Sequence, residues 1–232
     1  VRVAEICKNF NTPFYLYSSN SIINNYKLLH KLLNGMSFLI AYSVKANSNL
    51  SVLKTLAKCG AGADVVSVGE LKKALKAGIS NNKIVYSGVG KTIDEIAFAL
   101  KNKIEQFNVE SIEELETIAK IAEQINMSAN IALRVNPDIS AGGHPKISTG
   151  KKTDKFGIPI SEAKKVYELA KKFKSLKIVG IDIHIGSQIR YLTPFKKAFK
   201  KVLSFCMELE KQGFNFKNID LGGGIGINYE SD

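Results

Sequence analysis

Short apolar runs alternate with amphipathic stretches along most of this chain. The clearest run is Phe38-Leu39-Ile40-Ala41-Tyr42, continuous and of strand length, the pattern of a strand buried on both faces. Leu50, Leu53, Leu56 and Ala57 follow at helical spacing and are closed by Gly60. Ala63-Asp64-Val65-Val66 reads as the next strand. Ser67 then stands three residues before Glu70, a capping box opening a helix that stops at Gly78. The unit recurs as strand Ile84–Ser87, box Thr92 to Glu95 and a helix to Leu100. It recurs again as strand Gln106–Val109, box Ser111 to Glu114 and a helix to Ile125, before a strand at Ile131–Val135. Helix 161–175, strand Ile178–Ile183, helix 195–211 and strand Asn218–Leu221 complete the series. Upstream, Asn11-Thr12-Pro13 introduces a short strand, Phe14–Tyr17, and a helix from Ser21 to Leu33.

Strand and helix alternating every roughly 20 to 25 residues predict parallel strands with helical crossovers. The pattern is that of an α/β protein, a TIM (β/α)₈ barrel, with a seventh strand at Asn218–Leu221 and no eighth. The polar stretch from Asn136 to Gly157 is too long for a plain connection, and it is expected to close over a bound substrate.

Composition narrows the function classes. The 232 residues, 45% apolar, are enough for a full core. No apolar run approaches the ~20 residues that span a bilayer, so no membrane partner is expected. Cys7, Cys59 and Cys206 are widely spaced and unpaired in sequence, which fits reduced thiols in a cytoplasmic protein. The net charge of +12 raises nucleic acid as a partner. The lysines are spread over helical segments (Lys164, Lys165, Lys171, Lys172, Lys196, Lys200) without interleaved aromatics, so a solvated basic surface is expected instead. The chain opens at Val1 without a Met, which implies a trimmed start.

In a barrel of this class the site lies at the C-terminal ends of the strands. Those ends carry Lys45, Asp64, Ser87-Gly88, Glu110, Arg134, His184 and Gly222-Gly223-Gly224. A lysine at the end of a buried strand either reaches out to water or loses its charge, and a desolvated amine forms Schiff bases with aldehydes. Gly222 to Gly224 can turn bare backbone N–H groups around a phosphate, or can simply make a tight turn. His184 could be a core residue, a metal ligand or a flat ring facing a ligand. With three histidines and no carboxylate–histidine spacing, no metal is expected. Arg134 supplies a permanent cation suited to a phenolate or carboxylate. Together these describe a pyridoxal phosphate site, in which the cofactor is the electron sink and the protein orients it.

Tyr42-Ser43-Val44-Lys45-Ala46-Asn47, His184-Ile185-Gly186-Ser187-Gln188 and Leu221-Gly222-Gly223-Gly224 resemble the fold-type III pyridoxal phosphate decarboxylases, the alanine-racemase-like barrels. The likeness runs from about Pro13 to Tyr229. His144 to Gly150, followed by Lys155-Phe156-Gly157, is similar to a loop of the diaminopimelate decarboxylases within that family. The resemblance implies that Lys45 holds pyridoxal 5'-phosphate through a Schiff base and that His184 stacks on its ring. It also implies that Ser187, Gly222, Gly223 and Gly224 bind the phosphate, while Asp64 and Arg134 line the pocket. Val68 and Lys146 depart from the family pattern, where glycine and an aromatic residue are usual.

The implied reaction is decarboxylation of meso-2,6-diaminopimelate to L-lysine and CO₂, with a small amino acid as substrate and a homodimer as assembly. A sister enzyme acting on ornithine, arginine or a carboxylated polyamine is the enzymatic alternative, and a non-catalytic cofactor-binding protein is the other. The resemblance divides the chain into residues 1–20, whose strand would join a C-terminal β domain, and the barrel from 21 to 232. The family's acidic partner of the pyridine nitrogen, its eighth strand and its catalytic Cys-containing motif are not in this sequence. The chain is therefore expected to be an incomplete part of a longer enzyme, inactive alone.

Overall fold

Strand and helix alternate in the computed structural model as the pattern requires; it describes residues 2–139 and 156–229. The expected substrate loop falls mostly on residues 140–155, outside the described residues, so Lys146 and His144 have no structural account.

A helical turn at Val3–Ile6 (α1) and the helix Ser19–Leu32 (α2) precede the first strand, Ala41–Ser43 (β1). The series continues with α3 Leu50–Lys58, β2 Gly62–Val65, α4 Val68–Lys76, β3 Ile84–Tyr86, α5 Ile93–Lys101, β4 Gln106–Val109, α6 Ile112–Gln124 and β5 Ala129–Asn136. The two-residue strand β6, Ile158–Pro159, leads into α7 Ile160–Ala170, then β7 Leu176–Asp182, α8 Leu192–Glu210 and β8 Asn218–Asp220. Seven strands stand side by side in the order β1-β2-β3-β4-β5-β7-β8, with β6 paired to β5 off that path. Every pairing is parallel. The sheet is thus an α/β barrel wall of seven strands. Among the described residues β1 and β8 each lack a strand partner on their outer side.

The core lies outside this wall, between strands and helices. Leu53, Leu71, Ile96, Leu115 and Ile118 come from helices and Val65, Tyr86, Phe107, Ile131, Leu133 and Ile181 from strands, all essentially without solvent contact. Each large side chain removed from water in this way contributes about 1.5–3 kcal/mol. The inner face of the wall is different. Gln106, Asn108, Glu110 and Asp182 are buried there although polar. Register places Arg134 beside Asp182 and Asp182 beside Asp220, so their side chains share one face of three neighbouring strands.

Helix starts follow the expected hydroxyl caps with one complete box. Thr92 Oγ1 accepts from the Glu95 N–H at 3.3 Å while Glu95 accepts from the Thr92 N–H at 3.0 Å. At the other two sites the hydroxyl does its part, but the glutamate is drawn elsewhere. Glu70 reaches past Ser67 to the Val66 N–H at 2.9 Å, and Glu114 binds Lys91 at 2.6 Å. Phe14–Tyr17, whose expected partner is a β domain beyond the barrel, pairs with no strand among the described residues, and Tyr15 is 91% exposed. One expected element is corrected. The apolar run at Phe38 enters the strand only at Ala41, the Ile40 carbonyl accepting the Gly62 N–H at 2.9 Å just before it, and Leu39 remains exposed. No helix among the described residues is long and apolar enough to cross a membrane.

Candidate active site

β1 ends at Ser43 and passes into a single 3₁₀ turn, Val44–Ala46, that carries Lys45. Asn47 accepts the Asn49 N–H at 3.0 Å and Asn49 caps α3 through the Ser51 N–H at 2.8 Å, so the turn is fixed at its far side. Lys45 itself is exposed. Of the two outcomes open to a lysine at a strand end, desolvation does not occur here: its place is at the mouth, where water reaches it. It is nonetheless close enough for its charge to act on both Asp64 and His184.

Asp64 lies one residue before the end of β2 and accepts from Ser43 Oγ at 3.2 Å. Burial raises its pKa and the Asp220 carboxylate adds to the rise, while Ser87, Ser43 and Lys45 oppose it. Its second oxygen, Oδ1, is buried without a hydrogen-bond partner. An unmet buried acceptor of this kind costs about 1–3 kcal/mol, a cost that a donor from a ligand would offset.

Arg134 lies in the mouth as expected but is already engaged. Its Nη1 meets Glu110 Oε1 at 2.7 Å and its Nε lies 4.0 Å from Asp182 Oδ2. Phe156 covers the guanidinium at 5.4 Å from the ring centroid. Glu110 also accepts the Gly88 N–H at 3.2 Å. Asp182 is held well above the usual carboxylate range by burial and by the neighbouring Asp220 carboxylate, with Arg134 opposing.

His184 follows β7. Burial, helped by the charges of Arg134 and Lys45, lowers its pKa to about 4, so the ring is neutral at physiological pH. The Gly223 N–H donates to Nδ1 at 3.4 Å. The glycines after β8 run along the segment after His184. Ile189 N–H donates to the Gly224 carbonyl at 2.9 Å, and Gly226 N–H donates to the Ile189 carbonyl at 3.0 Å. A Cβ at Gly222 would collide with the Ile183 carbonyl, and one at Gly224 with the Gly186 carbonyl. Gly223 faces open space. Ser187 is exposed beside the turn, its Cα 3.4 Å from where a Gly224 Cβ would stand.

Asp64, Arg134, His184, Gly222 and Gly223 are therefore joined by direct contacts or by charge, with Lys45 linked through charge and Ser187 through the packing of Gly224. The residues fit pyridoxal 5'-phosphate: a bare glycine turn with open space at Gly223, a neutral ring beside it, an unmet carboxylate oxygen and an accessible amine. No group of three or more His, Cys, Asp or Glu among the described residues could hold a metal. Sequence reasoning assigned nothing to Asp182, Asp220 or Asn108. Their signal was present: each is a polar residue inside or ending an apolar strand, on the face opposite the core.

The chain matches the family model described as pyridoxal-dependent decarboxylase, pyridoxal binding domain, over residues 19–232. It is 47% identical to diaminopimelate decarboxylase of Aquifex aeolicus, covering 100% of this chain and 55% of that protein. It is 45% identical to the enzyme of the same name from Pseudomonas aeruginosa, over 100% of this chain and 56% of the relative. The solved structure of diaminopimelate decarboxylase from Helicobacter pylori complexed with L-lysine superposes with a TM-score of 0.97 at 44% identity, covering 100% of this chain and 59% of that one. The chain thus spans about half the length of the curated relatives it matches, 55–56%. By the match over residues 19–232, it belongs to the pyridoxal-dependent decarboxylases and carries their pyridoxal binding domain.

Proposed function

We propose that this chain is the cofactor-binding barrel of a decarboxylase that converts meso-2,6-diaminopimelate to L-lysine and CO₂. The observation that carries the reading is the convergence of Lys45, His184 and the Gly222–Gly224 turn at the C-terminal ends of β1, β7 and β8. Bound pyridoxal phosphate supplies an electron-accepting ring that takes up the electron pair left behind as CO₂ departs. Lys45 Nζ is the amine that would hold the cofactor through its aldehyde carbon. A flat, uncharged His184 ring offers a face to the pyridine without placing a second positive charge against it. Gly222, Gly223 and Gly224, with the Ser187 hydroxyl, hold the phosphate. Asp64 accepts hydrogen bonds through its unmet oxygen. Arg134, clamped by Glu110, keeps a fixed positive charge on the mouth wall.

The identities of 45% and 47% with diaminopimelate decarboxylases support the choice of substrate. The homodimer rests on the family resemblance and the cytoplasmic setting on the unpaired cysteines, and mass measurement in solution and cell fractionation test them. The deciding experiment is borohydride reduction of the full-length, cofactor-loaded protein followed by peptide mapping, beside a lysine-release assay on diaminopimelate, ornithine and arginine. Label on Lys45 and turnover of diaminopimelate alone are expected. Label on another lysine refutes the site, and preference for another amino acid refutes the substrate.

A further inference from the structure

β4 and β8 stand apart in the sheet, with β5 and β7 between them. They are nevertheless tied through the barrel interior. Asn108 Nδ2 donates to Asp220 Oδ2 at 3.1 Å and to Ser87 Oγ at 3.1 Å. Its Oδ1 accepts from Gln106 Nε2 at 2.8 Å, and Gln106 Oε1 accepts from Asn218 Nδ2 at 3.0 Å. Asn108 is 1% exposed and Gln106 2% exposed, so these bonds form away from competing water. The strut ends on the glycine turn: Asp220 Oδ1 accepts the Gly222 N–H at 2.9 Å.

Each contact removes a freedom from the next. Asp220 has one oxygen on Gly222 and the other on Asn108, which leaves its carboxylate one orientation. Gly222, at φ +66°, takes a conformation that suits glycine, and its N–H is the point at which the Asp220 carboxylate holds the turn. The directions of the next N–H groups, at Gly223 and Gly224, are set by that first residue. Asp220 is also a carboxylate next to a turn read as a phosphate cradle, and the Asn108 amide hydrogen draws its charge toward the barrel interior.

We propose that Asn108, acting through Asp220, is a positioning residue for the phosphate cradle of the Gly222–Gly224 turn. This rests on reading that turn as the phosphate site. The strut then sets affinity for the phosphorylated cofactor while leaving the hold on its ring and aldehyde largely alone.

The test compares affinities for pyridoxal 5'-phosphate and for pyridoxal, by absorbance titration of the full-length protein with Lys45 intact. Asn108→Asp is nearly isosteric and sets two carboxylates against each other. Asp220→Asn leaves one amide facing another donor whichever way it turns. Each single variant is expected to lower the phosphorylated-to-unphosphorylated affinity ratio about ten- to hundredfold, the loss of a charge-assisted hydrogen bond. The double variant Asn108→Asp, Asp220→Asn exchanges donor for acceptor. The new amide at 220 donates to the new carboxylate at 108 and still accepts from Gly222, so the ratio returns to near the wild-type value.

Thermal unfolding of each variant separates loss of fold from loss of positioning. If Asn108→Asp does not fold, Asp220→Asn and the double variant decide the matter alone. A wild-type preference for the phosphorylated form that survives in both single variants overturns the proposal, as does a double variant no better than the singles. A wild-type protein with no such preference overturns the cradle reading, and the proposal with it.

Discussion

Gly223 and Gly224 are neighbours with opposite surroundings, and replacing each by alanine should separate them cleanly. Gly224 sits at φ +94°, and a Cβ there would run into the Gly186 carbonyl. The backbone conformation alone costs a side chain about 1–3 kcal/mol. The collision is with backbone, so no side chain can turn aside. The turn must lift from the 186–189 segment, loosening the Ile189–Gly224 and Gly226–Ile189 hydrogen bonds. At about 1 kcal/mol each these add about 2 kcal/mol, for a total of about 3–5 kcal/mol. In a chain of this size that is a fall in Tm of roughly 6 to 20 °C. Gly223 has nothing within 4 Å of its built Cβ. Gly223→Ala should therefore stay within about 0.5 kcal/mol of wild type. Thermal unfolding of both variants, without cofactor, is the assay. Equal losses would refute the reasoning, because they would mean that neither the collision nor the φ angle governs this turn.

Two more predictions follow from buried charge. Lys91 is 1% exposed and bridges Glu114, the Gly88 carbonyl and the Asn108 carbonyl. Lys91→Met leaves Glu114 buried and unpaired and should cost about 3–5 kcal/mol in denaturant unfolding, with much of the loss recovered by adding Glu114→Leu; an unstable double variant would argue against it. His184 has a folded pKa of about 4 against an ordinary 6.5. The unfolded chain binds that proton more readily, so the stability His184 confers is complete above pH 6.5 and is lost as pH falls toward 4. The stability difference between wild type and His184→Gln should shrink by about 3 kcal/mol over that interval, and a pH-independent difference would contradict the burial.

Most of the architecture was legible because the apolar pattern serves one interface, the contact between strand and helix on the outside of the wall. Leu53, Leu71, Ile96 and Leu115, one from each of four successive helices, mark that interface, and all are fully buried. What the pattern does not show is a run's partner. Phe14–Tyr17 has strand composition, a strand exists only by pairing, and its expected partner lies outside the barrel, so no strand lies beside it among the described residues. The run at Phe38 is longer than the strand it feeds, which is confined to Ala41–Ser43. The site was legible as positions, since strand ends in a parallel barrel converge whatever they carry. Its electrostatics were not. The strand before Lys45 left open whether it reaches water or is desolvated, and a turn of 3₁₀ helix, invisible in apolar spacing, carries it to the surface. Arg134 was read as an open cation, because nothing local shows that Glu110, at the end of the preceding strand, would claim it.

The inner face shows why these carboxylates are better explained by the site than by the fold. Parallel barrels ordinarily fill their interior with branched apolar side chains. Here Asp64, Glu110, Asp182 and Asp220 enter it with Arg134 between them. Burying such groups rarely stabilises a protein relative to apolar residues of the same size. Burial and the neighbouring Asp220 carboxylate raise the pKa of both Asp64 and Asp182, so holding these groups charged in the interior works against the fold. Fold stability does not require this, since the outer layer already buries the large apolar side chains. A polar interior that fixes Arg134 on one side and the glycine turn on the other makes sense as a scaffold for a charged, planar ligand. The two faces of the wall therefore divide the work: the outer one holds the strands in place, and the inner one sets the charges that the strands present at their ends.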